Sequence, residues 1–120
     1  MKDDLVELLA QMRVSAKDAC GFVEGMSREE FFADKRTQQA VVMSLVIVGE
    51  AAARVMDRHP EFVAGHPQVP WRSMRGMRNR IAHGYFELDL DIVWDTVESA
   101  LPDLLERMTQ LIDPPESSSG

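Results

Sequence analysis

The chain has 120 residues, with 13 basic and 20 acidic side chains and a formal net charge of −7. This length suits one domain. The acidic balance excludes a broad basic coat for nucleic acid, so any nucleic acid must be held locally, and it disfavours a membrane-surface role. No signal-peptide pattern opens the chain, and no apolar run approaches the ~20 residues of a membrane span. We therefore expect a cytoplasmic protein that binds no membrane.

The first half of the chain predicts two long helices with a short one between them. From Leu5 to Val23, apolar residues recur at steps of three or four, which is typical of an amphipathic helix. Ser27, followed three residues later by Glu30, is a capping-box pattern that predicts a short helix, and Asp34 offers a second cap. Residues 37–59 are apolar almost all round, which predicts a long helix buried on most sides.

The second half predicts two more helices after a proline-rich loop. Residues 71–83 should form a third, shorter helix that ends where Gly84 takes the left-handed conformation. The last helix should begin at a cap provided by Asp89 or Asp91. Pro102 must kink or restart this helix, because proline removes a backbone donor and clashes with the preceding turn.

Together these elements predict an all-α fold, an up-and-down helical bundle with three long helices plus shorter ones. We expect one helical domain over residues 1–112 and a disordered tail over residues 113–120. The apolar stripes are wide for one small bundle. This predicts a further buried face against a second copy, and therefore a homodimer.

Positive charge is concentrated in residues 71–86, called here the arginine segment. It holds four of the arginines, one of the three histidines and the only tyrosine of the chain, and it contains no acidic residue. The arginines are Arg72, Arg75, Arg78 and Arg80, the histidine is His83 and the tyrosine is Tyr85. A guanidinium matches phosphate geometry, and histidine can accept or donate a proton near neutral pH. RNA cleavage without a metal needs these parts: a base for the 2′-hydroxyl, an acid for the leaving 5′-oxygen, and a cation.

Within this segment, Arg78 and His83 are the candidate catalytic pair, and Asn79 can hold a phosphate oxygen or orient a side chain. Residues five apart on a straight helix point about 140° apart, so the pair would not converge on one face. Gly84 could release the chain at the helix end. Alternatively, a symmetric dimer could bring an arginine and a histidine together and supply two histidines, one for each proton transfer.

Several residues keep two interpretations at this stage. Glu50 lies in an apolar run and is either a partly exposed helix position or a partner for an arginine of the segment. Arg72, Arg75 and Arg80 are each either surface charges or RNA contacts. Tyr85 either serves the site or packs over the core. No cysteine or second histidine stands at metal-ligand spacing, so neither a metal site nor another cofactor is expected.

The residues of the segment carry a resemblance to a known family. Residues 78–85, Arg-Asn-Arg-Ile-Ala-His-Gly-Tyr, resemble the RX4HXY motif of the HepT-like toxins, within the HEPN superfamily of helical ribonucleases. Residues 48–52, 69–72 and 91–94 resemble further segments of that family in the same order. The resemblance covers most of the chain, from residue 36 to residue 111.

The resemblance implies an all-helical homodimer with the motif at a cleft between protomers. It implies a metal-independent endoribonuclease toxin of a type II/VII-like toxin–antitoxin pair, with Arg78 and His83 as catalytic residues and Asn79 as their polar neighbour. It also implies that Tyr85 is adenylylated by a nucleotidyltransferase antitoxin of the MntA type. The alternative function is a catalytically silent helical binding partner of a nucleotidyltransferase.

Overall fold

The computed structural model describes residues 3–112, and the part of the chain that it describes is helical without strands. The helices are α1 (Asp3–Phe22), α2 (Arg28–Phe32), α3 (Lys35–Arg58), α4 (Pro60–Ala64), α5 (Trp71–Gly84), α6 (Leu90–Asp95) and α7 (Leu101–Ile112). A 3₁₀ turn (Tyr85–Glu87) follows α5, and a π-helical segment (Thr96–Ala100) joins α6 to α7. The all-α prediction is confirmed. The tail predicted over residues 113–120 lies outside the described residues.

Helix α3 is the centre of the bundle, since it packs against both α1 and α5, while α7 packs on α1. Its length and apolar composition alone would suit a membrane span, but 56% of its most apolar stretch is buried inside the protein. The core helix of a bundle needs apolar side chains on most of its faces. The largest fully buried side chains include residues of α1, α3 and α7, namely Leu9, Met12, Val41, Val55, Leu104 and Met108.

Polar caps set the starts of three helices, as the sequence predicts. The Oγ of Ser27 accepts a hydrogen bond from the backbone N–H of Glu30, and the Glu30 carboxylate accepts one from the backbone N–H of Ser27, at 3.1 and 2.8 Å. The side chain of Asp34 caps α3. Asp89 rather than Asp91 caps α6, because its carboxylate accepts the N–H of Asp91 at 2.9 Å.

The α-helical register of the last helix is interrupted just before Pro102, as predicted. In the π-helical segment the N–H of Leu101 reaches back to the carbonyl of Thr96, which widens the turn. Pro102 has no N–H to donate, and its ring crowds the carbonyl four residues before it. A wider turn at this point lets the helix continue through the proline as far as Ile112.

The predicted left-handed end of α5 at Gly84 is wrong. Gly84 has φ −152° and ψ 45°, and Tyr85 stays in the right-handed helical region at φ −57° and ψ −41°. The backbone therefore passes from α5 into the more tightly wound 3₁₀ turn without adopting a left-handed conformation. Among the described residues, Gly25 is the glycine with a positive φ, of 77°. As a result, α5 keeps helical geometry through His83.

Candidate active site

Helix α5 is fixed on the bundle by one apolar side and presents its charged side outward. Trp71, Met74 and Ile81 are the buried residues of α5. The indole N–H of Trp71 also donates to the carbonyl of His66 at 3.0 Å, which ties the start of the helix to the preceding loop. With the apolar side committed to the core, Arg72 and Arg80 are left at the surface, while Arg75 and Arg78 are half-buried.

Gly49 allows α3 and α5 to approach closely beside the candidate catalytic arginine. A Cβ placed on Gly49 would lie 2.5 Å from the Cβ of Arg78 and 2.6 Å from the backbone carbonyl oxygen of Met74. No larger residue fits unless the helices move apart. This role is not among the sequence-based predictions, although a glycine inside an apolar helix costs helix stability and therefore indicates a packing requirement.

The guanidinium of Arg78 is held by two neighbouring side chains. Its Nη1 donates to Oε1 of Glu50 at 3.0 Å, and its Nε and Nη2 donate to Oδ1 of Asn79 at 3.0 and 2.7 Å. The Arg78 side chain remains 26% exposed. A guanidinium has five N–H donors, so among residues 3–112 two donors of Arg78 remain available for a phosphate. The predicted contact between Glu50 and an arginine of the segment is present.

Glu50 also lies between two arginines. Its Oε2 accepts a hydrogen bond from Nε of Arg54 at 3.1 Å, while its Oε1 faces Arg78. The hydrogen bond from Arg54, and after it the one from Arg78, lower the pKa of the Glu50 carboxyl below its usual value. Glu50 is therefore ionised at neutral pH, and this cluster of two guanidinium groups and one carboxylate carries a net positive charge.

His83 is exposed at the end of α5, and its ring makes no hydrogen bond within residues 3–112. On a regular helix the side chains of Arg72, Asn79 and His83 point in directions within about 40° of one another around the helix axis. The side chain of Arg78 points about 140° away from that of His83. Within residues 3–112, Arg78 is hydrogen-bonded to Glu50 and Asn79, and no hydrogen bond joins it to His83. The backbone leaves helical geometry at Gly84, after the histidine, so the change of direction there does not turn His83 toward Arg78.

The other arginines of the segment flank the line that ends at His83. Arg72 and Arg80 are exposed and Arg75 is half-buried. By helical geometry, Arg75 and Arg80 lie about 60–80° to either side of Arg72. None of the three has an ion-pair partner within residues 3–112. They form a positively charged surface around the histidine.

Two aromatic residues follow α5 directly. Tyr85 is 44% exposed, and its ring meets the ring of Phe86 edge-on, with centroids 5.8 Å apart. Phe86 is 99% exposed. Tyr85 is thus accessible from solvent and does not cover the core. Phe86 is not among the predicted site residues, since a phenylalanine beside a tyrosine usually indicates packing.

The three histidines have different surroundings. The ring of His59 contacts the carboxylate of Asp4 at 3.1 Å, and the ring of His66 stacks on Phe62. In the described part of the chain, no three His, Cys, Asp or Glu side chains gather as a set of metal ligands. As far as residues 3–112 show, His83 is therefore the histidine whose two ring nitrogens remain open to a substrate.

Comparison with known proteins identifies the family. The family model "Ribonuclease HepT-like" matches residues 12–111. A Thermococcus cleftensis protein named "Probable ribonuclease HepT" is 32% identical over 109 residues, which are 91% of this chain and 90% of that protein. A Methanocaldococcus jannaschii protein with a provisional RNase name is 33% identical over 111 residues, covering 92% and 89%. A third, from Caldanaerobacter subterraneus subsp. tengcongensis and named in the same way, is 36% identical over 90 residues, covering 75% and 78%. No solved structure matches the chain significantly. The chain belongs to the HepT-like ribonuclease family.

Proposed function

We propose that this chain is a metal-independent endoribonuclease of the cytoplasm that acts as the toxin of a toxin–antitoxin pair. It cuts RNA at a cleft formed by two protomers. The observation that supports the proposal is that the side chains of both candidate catalytic residues, Arg78 and His83, are available to a substrate. In the described part of the chain, His83 is exposed and its ring has no hydrogen-bond partner, and Arg78 is fixed with two donors open, on a helix that points the two side chains apart.

The reaction follows from the chemistry of these groups. One histidine accepts the proton of the ribose 2′-hydroxyl, whose oxygen then forms a bond to the adjacent phosphorus. The bond from phosphorus to the 5′-oxygen breaks, and the partner copy's histidine donates a proton to that oxygen. A 2′,3′-cyclic phosphate and a free 5′-hydroxyl result. The guanidinium of Arg78 stabilises the charge that accumulates on the phosphate oxygens.

Glu50 and Asn79 act on the reaction through Arg78. Their three hydrogen bonds fix the plane of the guanidinium before RNA arrives. A cation that is already in place has less conformational freedom to lose in the transition state. Arg54 shares the charge of Glu50, so that the carboxylate does not cancel the positive charge of Arg78.

In this proposal a second copy of the chain completes the site, because Arg78 and His83 point about 140° apart on a regular helix and no hydrogen bond joins them within residues 3–112. An apolar surface beside the site supports a dimer. Met43 and Ile47, 59% and 39% exposed, lie on the same outer stripe of α3 as Glu50, at steps of four and three residues. Large exposed apolar side chains next to a functional group are typical of an interface, and a two-fold contact there would place two α5 helices near one cleft.

The antitoxin in this proposal is a nucleotidyltransferase of the MntA type that adenylylates Tyr85. The tyrosine is partly exposed and lies two residues after His83. Added nucleotide brings bulk and negative charge to the edge of the cleft, where it would repel the RNA backbone. The modification would thereby block cleavage without unfolding the protein.

Incubation of the purified protein with total RNA, with and without a chelator, tests this function. We expect cleavage that survives the chelator, leaves 2′,3′-cyclic phosphate ends, and disappears in His83→Ala. His83 is exposed, so its replacement removes no packing and the variant should fold. Intact RNA, together with tight binding to a nucleotidyltransferase encoded beside this chain, would contradict the enzyme and favour the silent binding partner.

A further inference from the structure

Phe86 is the most exposed large apolar side chain of the described residues, at 99%. It lies in the 3₁₀ turn three residues after His83, so the chain allows at most about 11 Å between their Cα atoms. Its ring and that of Tyr85 meet edge-on, at 75° to each other, with centroids 5.8 Å apart. With 99% of the side chain exposed, the Phe86 ring can be reached by a planar group from solvent.

The charge around Phe86 changes sign along the chain. Residues 71–86 contain four arginines and no acid, whereas Glu87, Asp89 and Asp91 follow directly. Asp91 is paired with Arg28, and Asp89 caps α6. Glu87 keeps its charge beside Phe86, so a polyanion is attracted to Phe86 along α5, where the four arginines lie. Phe86 is the apolar end of a positively charged surface, which is the combination of groups that binds unpaired nucleotides.

We propose that Phe86 stacks on an unpaired base of the RNA, next to the phosphate on which His83 acts. The preferred substrate is then single-stranded or looped RNA. In a duplex both faces of each base are covered by its neighbours, so the phenylalanine has no base face to contact. This inference rests on the ribonuclease function proposed above, and it names the form of RNA that the site takes.

The test compares Phe86→Ala, Phe86→Leu and Phe86→Trp on one short RNA, supplied either unpaired or annealed to its complement. We expect the wild type to prefer the unpaired form. Loss of one stacked base should raise KM by about 5- to 150-fold in the alanine variant. Leucine should behave like alanine, and tryptophan should keep the wild-type KM. Because the side chain is exposed, all variants should melt as the wild type does.

A binding measurement separates this inference from the ribonuclease function. The probe is the unpaired RNA with 2-aminopurine as a base and 2′-O-methyl sugars, which cannot be cleaved. We expect its fluorescence to be quenched by the wild type and by Phe86→Trp, but not by Phe86→Ala or Phe86→Leu. Phe22→Ala is the matched control, because Phe22 is also exposed but lies at the end of α1, outside the arginine segment.

Each result has a defined meaning. Equal KM values and equal quenching for alanine and wild type would overturn the stacking. A change in dimerisation or antitoxin binding without a change in quenching would also overturn it, and would make Phe86 a protein-interface residue. If no RNA is cut but quenching depends on an aromatic group at position 86, the stacking stands and the ribonuclease proposal fails.

Discussion

Replacement of Gly49 by alanine is the sharpest test of how the bundle builds the site. The new Cβ would lie 2.5 Å from the Cβ of Arg78, about 0.9 Å short of the 3.4 Å at which ordinary contacts begin. The second obstacle, 2.6 Å away, is the backbone oxygen of Met74, which cannot rotate out of the way. Helices α3 and α5 must therefore separate by a substantial part of an ångström.

Two effects of Gly49→Ala follow from this geometry. Overpacking of a core typically lowers the free energy of unfolding by about 1–3 kcal/mol, and this exceeds the roughly 1 kcal/mol that alanine gains over glycine inside a helix. The shift also moves Arg78 relative to the RNA, and a misplacement near 1 Å can cost up to about 100-fold in rate. We expect a lower midpoint in urea and a lower kcat.

The matched control for Gly49→Ala is Gly76→Ala on α5. A Cβ on Gly76 would have no heavy atom within 4 Å, so the same substitution should be neutral or raise the free energy of unfolding by about 0.5–1 kcal/mol. Urea unfolding and RNA cleavage are measured for both variants. If Gly49→Ala is as stable and as active as Gly76→Ala, the close approach of α3 and α5 is not what positions Arg78.

Two further substitutions test the charged contacts. Glu50→Gln removes the charge that holds Arg78, so kcat should fall on the order of 10-fold while KM does not rise. The control is Asp103→Asn, which removes the charge of an exposed ion pair on α7 and should change neither kcat nor KM. Equal effects of the two substitutions would contradict a positioning role for Glu50. Asp4→Asn should lower the free energy of unfolding near pH 6, because hydrogen bonding to His59 is the main cause that lowers the pKa of Asp4 below its usual 3.8. A carboxyl whose pKa is lower in the folded than in the unfolded protein stabilises the fold at pH values above the pKa of the unfolded state. This contribution disappears as the pH falls through the pKa of the folded state. The variant and the wild type should therefore have the same free energy of unfolding, measured with urea, in acid. A difference that is the same at all pH values would contradict this assignment.

Much of the fold could be predicted from local signals. Apolar periodicity located the long helices, and the polar residues Ser27, Asp34 and Asp89 marked helix starts to which their side chains contribute directly. These features depend on residues within about one helical turn of each other, so they can be predicted from a single sequence. The left-handed conformation predicted for Gly84 is wrong because a glycine near a helix end permits this conformation without requiring it.

The candidate site could be predicted only in part. The motif identified Arg78 and His83, but their relation depends on how α5 continues, which the sequence left open. The contact of Glu50 with Arg78 was one of two interpretations, since it joins residues 28 apart in the chain. The closeness of Gly49 to Arg78 depends on the packing of two helices, which no local pattern encodes.

The central claim is that one cleft uses histidines from two copies of the chain. Wild-type chains are refolded together with an equal amount of His83→Ala chains, and RNA cleavage is measured per wild-type chain. Random pairing leaves half of the wild-type chains with a mutant partner, so the account predicts a fall to about half. Cleavage per wild-type chain that stays constant, at this ratio and with excess mutant, would contradict it.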